Sequence, residues 1–439
     1  RVLPRINEDI NEEWISDKTR YACDGLLNQR LDTPYIKYNN KFDKSSWKEV
    51  FNIISSKIKA TDNKKICGFT GDLNNMESLY IFKDFFNKII KNNNYDCRSN
   101  NQYVNNSKRE DYLFNSTING VEECDFIFLI GSNIRHEATI LNSRIRKSCL
   151  NNNTKIISLN DQGDLTFPYE NLNGDSETIK RITEDNHPVS ELLINAKKPM
   201  IILGPSVLEN QSGKYIFESL KKFLFNKNKI SENWNPLNVI SLDASRIGSL
   251  DLGIINSGDG YNNLLNDLNK NKFEIVFLLG QDNLTFDKKN EFVIYIGSHG
   301  DRGAELADII LPGSAYTEQD GYFTNIEGKL QKAYKASYPP GDAKEDWEII
   351  NDLSENISGK KLYQNKNELE KAMIGYLNIF YEQDKLKKIE LKNNVDFVKE
   401  KIETKKIDYY YSNVIARASH TMYECRKKKI ELKKTGTEG

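Results

Sequence analysis

Short runs of consecutive apolar residues alternate along most of the chain with stretches whose apolar residues recur every three or four positions. The runs with the length of a buried strand are KICGFT, DFIFLIG, KIISL, PMIILG, VISLD, EIVFLLG and FVIYIG, at 65–70, 125–131, 155–159, 199–204, 239–243, 274–280 and 292–297. Continuous apolar strands that alternate with helices are typical of parallel sheets covered on both faces. Because one doubly wound sheet uses about six strands, we predict an α/β fold with two doubly wound, mostly parallel sheets.

The helical stretches carry their own start signals. Ser46 and Glu49 enclose the sequence SWKE, which has the form of a capping box. The apolar residues that follow lie on one helical face: Trp47, Val50, Phe51, Ile54 and Ile58. We therefore predict a helix from Ser46, and further helices around 79–89, through Arg146 and over 214–225.

The pattern also suggests a division of the chain. We predict an extended entry segment at 1–45, a discontinuous first α/β domain at 46–98 and 199–340, and a second α/β domain at 99–198. The polar residues 162–190 are predicted to be a linker. From 341 to 439 we expect a helical C-terminal extension, which begins with a helix near Asp342 and ends in the basic tail 426–434.

Composition narrows the class of protein. The 439 residues are 38% hydrophobic and carry a formal charge of −1, which favours folded domains and gives no global electrostatic footprint for nucleic acid. No stretch approaches the ~18 apolar residues of a spanning helix. The six cysteines contain no C-x-x-C pair, so we predict reduced, buried or half-buried thiols rather than a local zinc or cluster site.

Two glycine-containing turns are candidates for phosphate binding. Residues 68–71 (GFTG) and 131–133 (GSN) each follow a predicted strand and precede a predicted helix, where backbone donors favour anions. Neither has the spacing of a Walker or dinucleotide motif. We favour the alternative that they are ordinary strand-end turns.

The four histidines give little chemistry. His299 lies between a strand end and a glycine, but a structural role in its loop is the favoured interpretation because no nucleophile accompanies it. His136, His187 and His420 are expected to be packing, linker and helix-surface residues. The residues alone therefore predict a large α/β protein with nucleotide-site architecture, and we assign no catalytic, cofactor-binding or metal residue.

A resemblance adds to this interpretation. The run from Gly297 to Gln331 contains HGDRG (299–303), ADIILP (307–312), Thr317-Glu318 and NIEG (325–328), and it resembles the molybdopterin-oxidoreductase superfamily, in particular the large iron–sulfur subunit of respiratory complex I. Four other segments, 1–36, 115–148, 196–206 and 412–425, resemble the same subunit in the same order. The resemblance implies a fold like that of formate dehydrogenase.

It also implies a function. We expect a structural part of the peripheral arm of complex I, on the matrix side of the mitochondrial inner membrane, which supports electron transfer from NADH to ubiquinone. Residues 1–45 would pack on a cysteine-rich, ferredoxin-like iron–sulfur region, which either belongs to a separate chain or precedes Arg1 in a longer one. We expect no cofactor in this chain, since the iron–sulfur clusters would lie in that region, and the other partners would be peripheral-arm subunits.

The alternative is a catalytic molybdopterin oxidoreductase. Catalytic relatives present a Cys, selenocysteine or Ser to the metal shortly after the first α/β unit. Cys97 and Ser99 are the residues nearest to that position, and neither fits its register well. We therefore expect no molybdenum and a chain that is itself non-catalytic.

Overall fold

The computed structural model describes residues 1–392 and 394–434. Its strands are β1 Tyr35–Tyr38, β2 Lys41–Lys44, β3 Ile66–Thr70, β4 Tyr95–Asp96, β5 Phe126–Ile130, β6 Lys155–Leu159, β7 Glu170–Leu172, β8 Pro199–Leu203, β9 Leu237–Val239, β10 Ile275–Leu279, β11 Phe292–Gly297, β12 Ile309–Pro312, β13 Gly321–Thr324 and β14 Leu330–Ala333. Its α-helices are α1 Asp17–Tyr21, α2 Trp47–Ala60, α3 Met76–Asp84, α4 Ile134–Glu137, α5 Thr139–Asn152, α6 Ser176–Thr183, α7 Pro188–Asn195, α8 Pro205–Leu208, α9 Gly213–Asn226, α10 Arg246–Asp251, α11 Asn263–Asn269, α12 Arg302–Leu306, α13 Asp346–Ser358, α14 Lys366–Leu386, α15 Val414–Ala418 and α16 His420–Lys434.

Two mainly parallel sheets organise the chain and confirm the predicted α/β class. The seven-stranded sheet has the order β2-β1-β12-β11-β10-β3-β4, and we call it, with its helices, the first unit. The five-stranded sheet has the order β7-β6-β5-β8-β9 and forms the second unit. Within the first sheet, β1 pairs antiparallel with β12 and with β2, whereas β3, β10, β11 and β12 run parallel.

Helix α2 shows how the local sequence signals act. Ser46 accepts a hydrogen bond from the Glu49 backbone N–H at 3.3 Å, as predicted. The Glu49 carboxylate does not return to Ser46, because it accepts instead from the Ser45 hydroxyl at 2.7 Å. The apolar face of the helix is buried against the first sheet, with Val50 and Ile54 fully inaccessible.

Strand pairing differs from the predicted division in the middle of the chain. Strand β8 pairs with β5, so the apolar run at 199–204 lies in the second sheet. Strand β9, which pairs with β8, covers Leu237–Val239, so Val239 is the one residue of the predicted strand 239–243 that lies in a strand. Residues 162–190 are not a simple linker either, because they contain β7, α6 and the start of α7. The main apolar runs of the two sheets are alike in length and composition, so their sequence patterns do not specify which sheet each of them joins.

The N-terminal segment has more regular secondary structure than predicted, and the C-terminal extension has less. Residues 1–45 contribute the β1–β2 hairpin to the edge of the first sheet. At the other end α13 begins at Asp346, a few residues after the predicted start near Asp342. The described residues between α14 and α15 form no α-helix, although the extension was predicted to be helical, because their Lys- and Asn-rich sequence has no apolar period. Residues 435–439 of the predicted basic extension lie outside the described residues.

The β13–β14 hairpin joins the two units. Its turn carries Gly328 at a φ of +82°, a left-handed conformation that suits glycine. The Ile326 carbonyl accepts from the Phe114 N–H at 2.8 Å, and the Gly328 carbonyl accepts from Arg109 at 2.6 Å. Glu327 accepts from the Ile118 N–H at 2.5 Å. The NIEG segment at 325–328, which is part of the resemblance, therefore connects the two units through hydrogen bonds.

Candidate functional site

A cavity of about 660 Å³ lies between the two units. Its wall contains Asp72 after β3, His136 and Glu137 after β5, Pro205 after β8 and Asp243 after β9. The carboxyl ends of β3 in the first sheet and of β5, β8 and β9 in the second therefore lie at this cleft, and open α/β sheets bind ligands at such strand ends. The cavity has the size of a small-molecule site.

The predicted phosphate cradles lie beside this cavity, but the Gly71 N–H and one N–H in the first turn of each following helix already have partners. The Gly71 N–H donates to the Leu279 carbonyl at 2.8 Å and to the Asn74 side chain at 3.1 Å. Asn75 caps α3 by accepting from the Ser78 N–H at 2.9 Å, and Asn133 caps α4 in the same way. These contacts favour the interpretation of both sequences as strand-end turns.

His299 has the structural position that the sequence suggested. Its ring is fully buried and lies 2.9 Å from the Gly25 carbonyl through Nε2 and 2.8 Å from the Ser298 hydroxyl through Nδ1. Burial, and to a smaller extent Arg30, lowers the pKa of His299 to about 4. The neutral ring thus attaches the entry segment to the end of β11.

The other histidines are separate from one another. His136 lines the cavity, and its ring centroid lies 5.9 Å from that of Tyr409. His187 caps α7 by accepting from the Val189 N–H at 3.2 Å, while His420 is exposed on α16. The structure does not assemble them into one site.

The candidate metal ligands fit a protein-bound metal poorly. Cys97 is buried, and burial raises the pKa of its thiol to about 12, so the thiolate that a metal needs is disfavoured. Ser99 lines the cavity, whereas Cys97 does not. Among the described residues no group of three or more His, Cys, Asp and Glu side chains is arranged to hold a metal ion. We therefore derive no chemistry through molybdenum.

Beside Cys97, a buried ion pair has a structural explanation. Arg98 and Asp96 are both fully inaccessible and lie 2.8 Å apart. Arg98 also donates to the backbone carbonyls of Asn256, Gly260 and Tyr261. This pair fixes the loop that leads into α11, and sequence analysis missed it because the carbonyl partners are distant in the chain.

The C-terminal region covers the cleft. Residues 387–392 and 394–413, which we call the strap, contact the second unit. The Ile402 carbonyl accepts from the Asn160 side chain at 2.6 Å, and the Lys405 N–H donates to the Ser206 hydroxyl at 2.9 Å. The following helix α15 contacts the first unit, since Arg417 donates to Asp301 at 2.6 Å. Strap residues 407, 408 and 411–413 form part of the cavity wall.

The comparison with protein families agrees with this geometry. The family model described as molybdopterin oxidoreductase matches residues 30–356, which is most of the chain. A second model, described as NADH-ubiquinone oxidoreductase NDSU1/NuoG-like, 4Fe-4S domain, matches residues 1–24. The chain therefore belongs to the molybdopterin oxidoreductase family.

Individual relatives define the similarity more narrowly than the family model does. The chain is 38% identical to the NADH-ubiquinone oxidoreductase 75 kDa subunit of Reclinomonas americana, over 97% of this chain and 64% of the relative. It is 39% identical to the mitochondrial NADH-ubiquinone oxidoreductase 78 kDa subunit of Candida albicans, over 97% of this chain and 60% of the relative. The mitochondrial NADH dehydrogenase (ubiquinone) iron-sulfur protein 1 of Solanum tuberosum is 38% identical over 81% of this chain and 47% of the relative. These matches confirm the predicted resemblance, and the chain covers between 47% and 64% of the length of these relatives.

A solved structure shows the same fold at low identity. Acetylene hydratase from Pelobacter acetylenicus superimposes with a TM-score of 0.51 and 13% identity, over 81% of this chain and 65% of that one. Such a likeness concerns the arrangement of strands and helices and carries no activity.

Proposed function

We propose that this chain is the scaffold part of the large iron–sulfur subunit of respiratory complex I, in the peripheral arm on the matrix side of the mitochondrial inner membrane. It positions an iron–sulfur region that passes electrons from NADH toward ubiquinone. The clusters are held by the part that precedes residue 1 in the relatives or by a separate cysteine-rich, ferredoxin-like chain. In this proposal the chain itself performs no catalysis.

The observation that carries the proposal is an apolar surface on the entry segment. We define this entry surface by four large side chains that remain exposed: Leu3 at 62%, Ile6 at 74%, Trp14 at 55% and Leu27 at 84%. Large apolar side chains that are exposed together are candidates for burial at a protein interface, and we propose that these four share one. Most of them fall in the segment that matches the 4Fe-4S domain model, which supports an iron–sulfur domain as the occupant.

The entry segment does not supply a cluster site by itself. A cubane cluster takes about four thiolates, and Cys23 is the one cysteine among the first 24 residues. The segment therefore supports clusters held by its partner. No helix within the described residues has the length and apolarity to cross a bilayer.

The attachment of the entry segment supports a positioning role. Arg30 donates to both carboxylate oxygens of Glu318, at 2.5 and 2.6 Å, and His299 holds Gly25. Both contacts lead to the strands of the first sheet, and the β13–β14 hairpin continues the connection to the second unit. A partner on the entry surface would thus be connected to both units through these hydrogen bonds. We further propose that the domain boundary follows the sheets, so that residues 199–243 belong with the second unit.

The test uses the entry surface in its natural complex. We expect Trp14→Asp and Leu27→Asp to reduce the fraction of the chain that migrates with NADH dehydrogenase activity in native gels of solubilised membranes. Leu150→Asp is the matched control, because Leu150 is 58% exposed on α5 of the second unit. Equal assembly of all three variants, or a wild-type chain that migrates alone, would contradict the proposal, as would stoichiometric molybdenum in the purified protein.

A further inference from the structure

The loop that follows β14 exposes two aromatic side chains. We call residues 334–341 the tyrosine loop, in which Tyr334 is 63% exposed and Tyr338 is 84% exposed. Tyrosine is enriched at protein interfaces, because its ring buries a large apolar area while its hydroxyl can still find a hydrogen-bond partner. The tyrosine loop is therefore a candidate contact surface.

The backbone of this loop is held near both of its ends. The Thr317 carbonyl accepts from the N–H groups of Ala336 and Ser337, at 2.8 and 3.0 Å. Just beyond the other end of the loop, the Asp342 N–H donates to the Asp32 carbonyl at 2.7 Å. Since the backbone is already ordered, burial of the two rings costs mainly the rotamer freedom of their side chains. An exposed tyrosine on a fixed backbone is thus prepared for binding.

The tyrosine loop is connected to the entry surface. Arg30 donates to the Leu26 carbonyl at 2.9 Å and to the Glu318 carboxylate. Leu26 is next to Leu27, which belongs to the entry surface. Glu318 is next to Thr317, whose carbonyl holds the loop. A single ion pair therefore lies between the two surfaces, and a partner that covers Leu27 lies close to the loop.

The comparisons indicate which partner covers this region. The 4Fe-4S domain model matches residues 1–24, which include three of the four side chains of the entry surface. This chain covers 64% and 60% of the relatives from Reclinomonas americana and Candida albicans, so each of them contains further chain beyond the matched part. An iron–sulfur region is therefore the occupant that these observations favour.

We propose that the tyrosine loop is a second contact for the iron–sulfur region that binds the entry surface. This inference rests on the proposed function and adds a contact from outside residues 1–45. A partner held at one contact is free to rotate about it, whereas two separate contacts fix its orientation. The rings of Tyr334 and Tyr338 thus help to set how the clusters are oriented relative to the first sheet.

The first test compares the assembly of loop variants in native gels of solubilised membranes. We expect Tyr338→Asp to lower the fraction of the chain that migrates with NADH dehydrogenase activity by at least about threefold, because a carboxylate is costly to bury at an interface. Tyr338→Phe should assemble normally, since it keeps the ring. Tyr38→Asp is the matched control, because Tyr38 is 51% exposed at the end of β1. The melting temperature of each purified variant verifies its fold.

Photo-cross-linking identifies the occupant. We expect benzoylphenylalanine in place of Tyr338 to cross-link to the cysteine-rich iron–sulfur region in the assembled complex, and the same probe in place of Trp14 reports on the entry surface. A cross-link to that region from position 14 but not from position 338 would overturn this inference and leave the proposed function intact. No cross-link to an iron–sulfur region from either position would contradict both. Normal assembly of Tyr338→Asp, or a cross-link from position 338 to a different subunit, would also overturn the inference.

Discussion

Removing the Glu318 carboxylate tests how the entry segment is attached to the first sheet. Glu318 accepts two hydrogen bonds from Arg30 and one from the Ala315 N–H at 2.9 Å. The exposures of the Arg30 and Glu318 side chains are 11% and 5%, so Glu318→Ala leaves a buried guanidinium without its counter-charge. Breaking such a pair costs about 3 kcal/mol or more, which corresponds to roughly a hundredfold change in an equilibrium constant.

We expect this cost to appear as local opening of the entry segment. Hydrogen exchange reports it at two backbone bonds between the segment and the loop after β11, Leu31 N–H to the Ser298 carbonyl at 3.0 Å and Gly300 N–H to the Gln29 carbonyl at 2.7 Å. Protection at both amides should fall by up to about two orders of magnitude. The amides of the second sheet should keep their protection.

Two further variants make the result specific. Glu274→Ala is the control, because its pair with Lys65 is about half exposed on both sides and such surface pairs contribute about 0–1 kcal/mol. Arg30→Met combined with Glu318→Leu should recover much of the lost protection, since an apolar pair leaves no buried charge. Unchanged exchange in Glu318→Ala, or a double variant more open than the single one, would refute the reasoning.

Three other expectations follow from buried groups. The pKa of His299 is lowered to about 4 in the folded chain, so between pH ~6.5 and ~4 the unfolded chain binds a proton that the folded chain does not. The free energy of unfolding, measured with urea, should therefore fall by about 3 kcal/mol as the pH is lowered over that range. It should fall less in His299→Gln than in the exposed control His420→Gln. Gly71→Ala would place its Cβ 1.6 Å from the Gly280 carbonyl oxygen, so we expect little soluble protein, and a normal yield and melting temperature would contradict the geometry. With a thiol reagent at pH 8, the half-buried cysteines should react much faster than the buried ones, whose pKa values are raised; the first group is Cys23, Cys149 and Cys425, the second Cys67, Cys97 and Cys124.

The sequence predicted the strands better than their assembly. Runs such as 274–280 and 292–297 are apolar because both faces of a parallel sheet are covered, so their existence is evident from composition alone. The pairing partner of each strand is not evident from the sequence. Strand β8, for example, pairs with β5 through backbone hydrogen bonds that any apolar strand could make. The same limit explains why residues 199–243 were predicted with the first domain, whereas β8 and β9 pair within the second sheet.

The candidate site was harder to predict than the strands, because its contacts join residues that are distant in the sequence. The strap has no apolar period, and it is held by individual polar contacts such as that of Asn160 with the Ile402 carbonyl. Arg98 and the backbone carbonyls of Asn256 and Gly260 that accept from it are far apart in sequence and carry no motif. His299 was the exception, because its position at the end of a predicted strand indicated a structural role.

The order of strands in the first sheet has a consequence for how the protein forms during synthesis. Strand β3 lies beside β10, and Lys65 and Glu274, which flank these strands, are 209 residues apart in sequence. All five strands of the second sheet lie within that interval, so this sheet is complete on the nascent chain before the first sheet has its central strands. Long-range pairing of this kind slows folding and leaves apolar strands uncovered meanwhile. The apolar strands near the N-terminus therefore stay unpaired until the C-terminal half has been synthesised. We expect them to be the segments that most need a chaperone.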